Sequence, residues 1–446
     1  MAVHGNVSTC RSGDHTSRAT AAGPRVSDAD VIIVGGGPAG ASTAYALARA
    51  GVDVMVLDRA RFPRAKPCAE YLSPQASRVL HDMGVLEEIE RRRPSQLAGM
   101  TVRAPSGQRL RGDFAASHGY RGFRDRGLAI RRLVLDAIIL DAARRAGARI
   151  VEDTRVTDVL RDATGRVRGV SASSDARARE IVAPLVVGAD GLRTVIGRRL
   201  GLVRAGRFPR RIAFVSHWRD VGDVGEYGEM HVERDGYVGI ASVDEGLVNV
   251  AIVAPASRAD IAGDRDRYVA SWLGRRPHLA DRFRRATRVS PVVATGPFSV
   301  RAKRAWAPGA VLVGDAADFF DPFTGEGIYA ALRGGELAAA AVRTALEHAS
   351  RDDPLREYER ARRREFGGKW MVERLVGIAV AFPPLIERAA ASLARRKDLA
   401  DLFVGVTGDF VPAREVLRPS YLLSLLFPSL AGSGTAATTP SPAHEG

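Results

Sequence analysis

Residues 28–60 read DADVIIVGGGPAGASTAYALARAGVDVMVLDRA. An apolar run at 31–34 enters three glycines, a small-residue stretch follows, and a second apolar run at 54–57 ends on Asp58. Runs this short and this apolar have the character of parallel strands buried on both faces. The segment predicts a strand, a glycine turn, a helix and a strand, which commits the chain to an α/β fold. In Gly35-x-Gly37-x-x-Gly40 the first glycine permits the tight turn, the second lets backbone approach a pyrophosphate, and the third lets the helix pack on the strand. Pro38 and Ala39 open the helix, whose free N–H groups would face the phosphates. Asp58 is placed to accept the hydroxyl protons of an adenosine ribose and would repel a 2′-phosphate, with Arg59 beside it pulling the other way.

A second acid-ended strand decides which dinucleotide. The run 310–313 is followed by GDAADFFDPFTGEGIYAAL at 314–332. NAD needs no such strand, whereas the ribityl chain and flavin of FAD extend beyond the pyrophosphate. Asp315, after Gly314, can accept a hydrogen bond from a ribityl hydroxyl. Pro322, Gly325 and Gly327, with Ile328 after them, let backbone N–H groups reach the pyrimidine edge of a flavin. A helix starting near Gly327 would aim its positive end at that edge, which is anionic in reduced flavin.

The rest of the chain sorts around this unit. Residues 183–191 and 309–317 read as further strands of the same sheet, 128–147 as a helix, and 148–182 as short strands with a Thr164-Gly165 turn. Residues 211–254 form strand-like runs between Asp/Gly turns, an antiparallel sheet inserted into the α/β unit. The expected division is a discontinuous FAD-binding domain (28–72, 128–200, 290–350), a substrate-binding domain (73–127, 201–289) and a helical C-terminal region (351–430) broken at Pro383-Pro384 and Pro419. A polar leader (1–27) and a Gly/Ser/Thr/Pro-rich tail (431–446) read as disordered.

The formal net charge is +15, but only four of the 66 basic residues are lysines and the arginines are scattered among acids and alanines. There is no basic stripe interleaved with aromatics, so nucleic acid is not an expected partner. Two cysteines, Cys10 and Cys68, make neither a disulfide framework nor a metal site, which suits a reducing, cytoplasmic setting. No uninterrupted apolar stretch reaches the roughly 20 residues of a membrane span. The C-terminal stretches WMVERLVGIAVAFPPLIERAAASLARR and YLLSLLFPSL are apolar and flanked by arginines. They are read as core helices, as the roof of a greasy pocket, or as a peripheral contact with a membrane surface.

With these motifs in place the chain resembles the flavoprotein superfamily of p-hydroxybenzoate hydroxylase, and within it the geranylgeranyl reductase-like branch. The likeness spans about residues 28–425 and is carried by GxGxxG with Asp58, KPCAEYLSP (66–74), IRRLVLD (130–136), GADGLRTVIG (188–197) and GDAADFFDPFTGEGI. It implies a three-layer Rossmann-like FAD-binding domain, an inserted antiparallel substrate sheet, C-terminal helices, and NAD(P)H as reductant. By matching position it implies FAD contacts at Lys66, Cys68, Arg131, Asp190, Gly191 and Arg193. Cys68 matches the cysteine of a KPCG segment beside the flavin, with Ala69 in place of its glycine. Cys68, Glu70 and Glu326 are the candidate catalytic residues, the two acids as proton carriers near the flavin or as helix caps.

The inserted sheet should be the substrate wall. If its strands alternate faces, Tyr237, Gly239 and Ala241 share one side, and His231, Tyr237 and Asn249 are candidates to hydrogen-bond a phenol or enol. Prenyl reductases of the resembling branch carry Y-x-W-x-F-P here, and this chain reads Tyr237-Val-Gly239-Ile-Ala241-Ser242. The W-x-W-x-I-P pattern of flavin halogenases is also missing, as the four tryptophans are isolated. The expected reaction is therefore oxygen insertion, through oxygen added at flavin C4a, into a hydrophobic aromatic, polyketide or phenolic lipid. Reduction of isoprenoid double bonds is the alternative. A non-catalytic carrier of prenylated partners is disfavoured by the intact Asp58, Asp190 and Asp315 set.

Overall fold

The computed structural model describes residue 1 and residues 27–116, 118–174, 177–206, 210–257, 263–348 and 352–426. The expected leader lies outside the described residues except for residues 1 and 27, and the expected tail lies outside them entirely.

Six strands form the central sheet, in the order Trp306–Ala307, Ala310–Leu312, Leu185–Gly188, Val31–Val34, Val54–Leu57, Arg149–Val151. All neighbours run parallel except the edge pair Trp306–Ala307 and Ala310–Leu312. The four strands Val31–Val34, Val54–Leu57, Leu185–Gly188 and Ala310–Leu312 are buried along their whole length. A three-stranded antiparallel sheet (Arg155–Arg161, Val167–Ser174, Arg177–Val182) covers one face, and the helices Pro38–Arg49, Arg132–Arg145 and Gly327–Glu347 cover the other. This is the three-layer arrangement expected. The chain runs outward from Val31–Val34 on one side and later returns on the other. That reversal opens a crevice at the carboxyl ends of Val31–Val34 and Leu185–Gly188, where such sheets bind nucleotides.

A second, eight-stranded sheet has the order Thr287–Arg288, Arg211–Arg219, Val248–Pro255, Gly236–Ser242, Tyr227–Glu233, Gly99–Arg103, Arg109–Asp113, with Val293–Thr295 also on Arg211–Arg219. It is mixed rather than purely antiparallel, because Tyr227–Glu233 and Gly99–Arg103 pair in parallel. Its alternation sorts side chains cleanly. Phe214, Val238, Ile240, Val250 and Ile252 pack outward against the helix Arg265–Gly274. Ala213, Val215, Met230, Tyr237, Ala251 and Val253 point the other way, toward the C-terminal helices.

Two pieces fall across the expected domain boundaries. Ala76, Val79, Leu80, Val85 and Ile89 pack into the core of the first sheet, because their helices bury apolar faces there. Val293–Thr295 belongs to the second sheet. Among the described residues no single helix is long and apolar enough to cross a membrane. The pair Asp353–Ala381 and Pro383–Arg395 passes that test only together, bent by 112°.

Candidate functional site

A cavity of about 1130 Å³ lies between the two sheets and under the C-terminal helices. Ligand pockets usually hold about 300–1,000 Å³, so this one is large enough for an extended ligand. One end is walled by Gly37, Pro38, Ala39, Lys66, Cys68, Gly191, Gly314 and Asp315. Pro322, Gly325, Glu326, Gly327 and Ile328 form the middle. Tyr237, Gly239 and Ala241 form the far wall, on one face of the second sheet as the alternation predicted, joined by Asn249 opposite Ala241 on the neighbouring strand.

The glycines of the first turn do different work. Gly35 has φ +104°, and a Cβ there would sit 2.4 Å from the Ala189 carbonyl oxygen. A Cβ on Gly40 would sit 1.8 Å from the Gly35 oxygen. The fold itself demands both. Gly37 is different: a Cβ would meet nothing closer than Arg64 Nη2 at 3.5 Å and Arg132 Nη2 at 4.0 Å. Nothing in the protein forbids a side chain there, so the bare backbone is open to a ligand. Two guanidinium groups and the start of the helix Pro38–Arg49 converge on it, which matches the charge of a pyrophosphate. Gly327 is equally unconstrained, its Cβ position meeting only a Phe319 ring atom at 3.9 Å.

Asp58 is buried at the end of its strand and accepts hydrogen bonds from the Gly36 N–H (2.7 Å) and the Ala60 N–H (2.9 Å). Arg59 is exposed. Lys66 and Asp315 face each other at 3.6 Å. Asp190 accepts from Val195 N (2.6 Å) and Ile196 N (3.3 Å), and its Oδ1 is buried without a partner. Burial raises its pKa, against the pull of those bonds. Arg193 donates to the Gly296 carbonyl at 3.2 Å.

Several expected residues are spent elsewhere. Arg131 does not line the cavity. Its guanidinium pairs with Asp244 (2.8 Å) and Glu245 (2.7 Å). The next residue, Arg132, takes the place at the glycine turn, held by Asp136 through bonds of 2.6 and 2.8 Å. Sequence reasoning missed it, although Arg132 and Asp136 stand one helical turn apart in the apolar first half of their helix. His231 faces away from the cavity, opposite Val238, and its Nε2 lies 2.8 Å from Glu229. A one-residue shift along a strand changes the face, and His231 is on the wrong one. Glu70 does not line the cavity either. It accepts from the Arg132 N–H (3.0 Å) and Asn249 Nδ2 (2.9 Å) and lies 2.7 Å from His217 Nε2. Asn249 reaches the cavity wall, but its amide also donates to the Cys68 carbonyl (2.9 Å). The Tyr237 hydroxyl donates to Asp321 Oδ1 at 2.7 Å, and Arg211 pairs with the other oxygen.

Glu326 stands apart. It is buried on the cavity wall at the start of the helix Gly327–Glu347, and neither carboxyl oxygen has a partner among the described residues. Burial pushes its pKa up to about 7, although the Lys369 charge pulls it down. Lys369 lies 4.5 Å over the Tyr329 ring and pairs with Asp409, and burial lowers its pKa. Glu373, a cavity-lining acid not foreseen from sequence, is raised well above the usual range by burial and by the charge of Glu326.

The glycine cradle, the converging guanidinium groups and the helix start at Gly327 all fit an extended FAD. Comparison with known proteins agrees: residues 28–371 match the FAD binding domain family. The chain belongs to that family. It is an FAD-dependent oxidoreductase. A digeranylgeranylglycerophospholipid reductase of Methanothrix thermoacetophila is 31% identical over 78% of this chain and 85% of its own length. A menaquinone reductase of Mycobacterium tuberculosis is 28% identical over 86% of this chain and 91% of its own. The flavin-dependent halogenase CmlS superposes with a TM-score of 0.70 at 26% identity, over 77% of this chain and 63% of that one.

Proposed function

We propose that this flavoprotein reduces carbon–carbon double bonds of an isoprenoid lipid. The observation that carries the reading is Glu326, a buried, unpartnered carboxyl group on the cavity wall whose pKa burial raises to about 7. Adding hydrogen across an isolated double bond takes a hydride for one carbon and a proton for the other. Bound FAD, reduced by NAD(P)H, supplies the hydride with both electrons. Gly37, Arg64, Arg132 and Asp58 would hold its adenosine and pyrophosphate half, and Asp315, Lys66, Gly325 and Gly327 its ribityl and flavin half.

Glu326 would deliver the proton from its carboxyl oxygen, and its pKa near 7 suits a general acid at neutral pH. The Tyr237–Asp321–Arg211 set fixes the far wall without donating to a ligand, since the phenol proton already goes to Asp321. Gly228, Gly239, Ala241 and Ala251 leave a long apolar trough that would exclude water from a bound chain. The names of the two reductases above support the lipid assignment.

Oxygen insertion into a hydrophobic aromatic or phenolic lipid is the second reading. Gly239 and Ala241 favour it, because the small side chains at these two positions of the wall admit a ring as readily as a chain. Anaerobic single turnover of the reduced protein with a short-chain isoprenoid separates the two. The proposal expects product with two added hydrogens. Substrate left unchanged without oxygen, and gaining an oxygen atom in air, would replace it with the second reading.

A further inference from the structure

The helix Asp353–Ala381 carries Met371, Leu375 and Ile378 at steps of four and three residues, so they share one face, and Phe382 follows at the bend just past its end. Leu385 continues the row beyond the 112° bend. Exposure runs from 37% at Leu385 to 50% at Phe382. Single exposed apolar residues are ordinary, but a continuous row marks an interaction surface. This row starts at the cavity, whose lining includes Trp370, Met371 and Arg374.

The unpaired charges beside it are positive, since Glu373 turns to the cavity and Glu387 accepts hydrogen bonds from the Ser106 N–H and hydroxyl. Arg374, Arg388 and Arg395 are exposed and in no ion pair among the described residues. By contrast Arg363 and Arg364, farther up the same helix, are neutralised by Glu359 and Glu357. Leu423 and Leu426 add exposed apolar surface on the helix Pro419–Leu426, which packs on Pro383–Arg395 where Ser392 Oγ donates to the Ser424 carbonyl at 2.6 Å. An apolar row with unpaired arginines beside it is the pattern of a helix lying in an anionic membrane interface.

We propose that the elbow around Phe382 docks into the surface of an anionic lipid bilayer, and that lipid substrate passes from the bilayer past Met371 into the cavity. The route rests on the lipid reading above, whereas the docking rests on exposure and charge alone. The row is too short to span a bilayer, and its burial would leave the nucleotide end of the cavity in water.

The test uses the full-length, FAD-loaded protein and vesicles of phosphatidylcholine with or without phosphatidylglycerol, read by co-sedimentation. The protein should bind the mixed vesicles at least tenfold more tightly than pure phosphatidylcholine, with added salt weakening binding. Leu375→Asp/Ile378→Asp should lose tenfold or more, and Arg388→Glu and Arg395→Glu about fivefold each on anionic vesicles only. Turnover of a short, water-dispersed isoprenoid should be unchanged in all of them, which keeps failure of docking distinct from failure of the proposed reaction. Wild-type protein that ignores anionic vesicles, or a double variant that binds them like wild type, would overturn the proposal. A wild-type dimer in light scattering that the double variant converts to monomer would assign the row to a second copy of the chain and also overturn it.

Discussion

Glu70 and Glu326 stand at the starts of two helices beside the same cavity, and their surroundings are opposite. Glu70 has a left-handed backbone (φ +61°), and its carboxylate binds the first N–H of the helix Arg132–Arg145, Asn249 and His217. Those bonds tie the first sheet's helices to the second sheet. Glu326 opens the longer helix Gly327–Glu347 and makes no capping bond. The residue lines the cavity, and its two oxygens are buried with no hydrogen-bond partner among the described residues. A buried carboxylate with its bonds made is a structural joint. A buried carboxyl group left unbonded costs stability, and a fold retains that cost where the group is used.

The comparison is sharpest in the two acid substitutions. Glu326→Gln should lower turnover at pH 7 by about 100-fold or more, the range of general acid catalysis, while the FAD content stays that of wild type. Steady-state kinetics with flavin absorbance checks both halves, and an unchanged rate would break the contrast. Glu70→Ala should do the reverse. It leaves a buried N–H, an amide and an imidazole unmatched, so the unfolding free energy should fall by about 3 kcal/mol with turnover per folded molecule within threefold. Chemical denaturation read by flavin fluorescence measures it.

The pH dependence of stability distinguishes the same two sites. The folded pKa of Glu326 is raised from 4.5 to about 7. Between those values the unfolded chain gives up a proton that the folded one keeps, so stability falls as pH rises through the window and levels off above 7. The total is about 3 kcal/mol. Glu326→Gln should reduce that slope, leaving the share that the raised Glu373 contributes, and Glu70→Ala should retain it in full, as denaturation midpoints at pH 5 and pH 8 would show. The smallest effect expected is His217→Ala, about 1 kcal/mol of stability for one lost partner of Glu70.

Much of this was legible in the sequence because the signals are local. The turn at Gly35–Gly40, the strand ending in Asp58 and the stretch from Gly314 to Ile328 each encode their own backbone within a few residues, and each stands where the motif placed it. The second sheet's inward face also followed from alternation, which put Tyr237, Gly239 and Ala241 together. What the sequence did not show depends on contacts across long separations. Glu70 and Glu326 look alike as isolated acids, and only His217 and Asn249, far along the chain, make one of them a joint. Arg131 and Arg132 are neighbours, and Asp244 decides which of them turns away. Strand phase decided His231, and Glu373 is drawn to the cavity by the packing of its helix against the rest.

The most direct test of the central claim is where the added hydrogens come from. The FAD-loaded protein is reduced without oxygen in deuterated water and mixed with a short-chain isoprenoid, and the product is read by mass spectrometry and NMR. The flavin N5 hydrogen exchanges with solvent, so position matters less than rate and dependence. The wild type should yield product saturated at the target bond and carrying solvent deuterium, with a solvent isotope effect on its rate, whereas Glu326→Gln should lose most of that turnover. Saturated product formed by Glu326→Gln at the wild-type rate and with the same isotope effect would contradict the account.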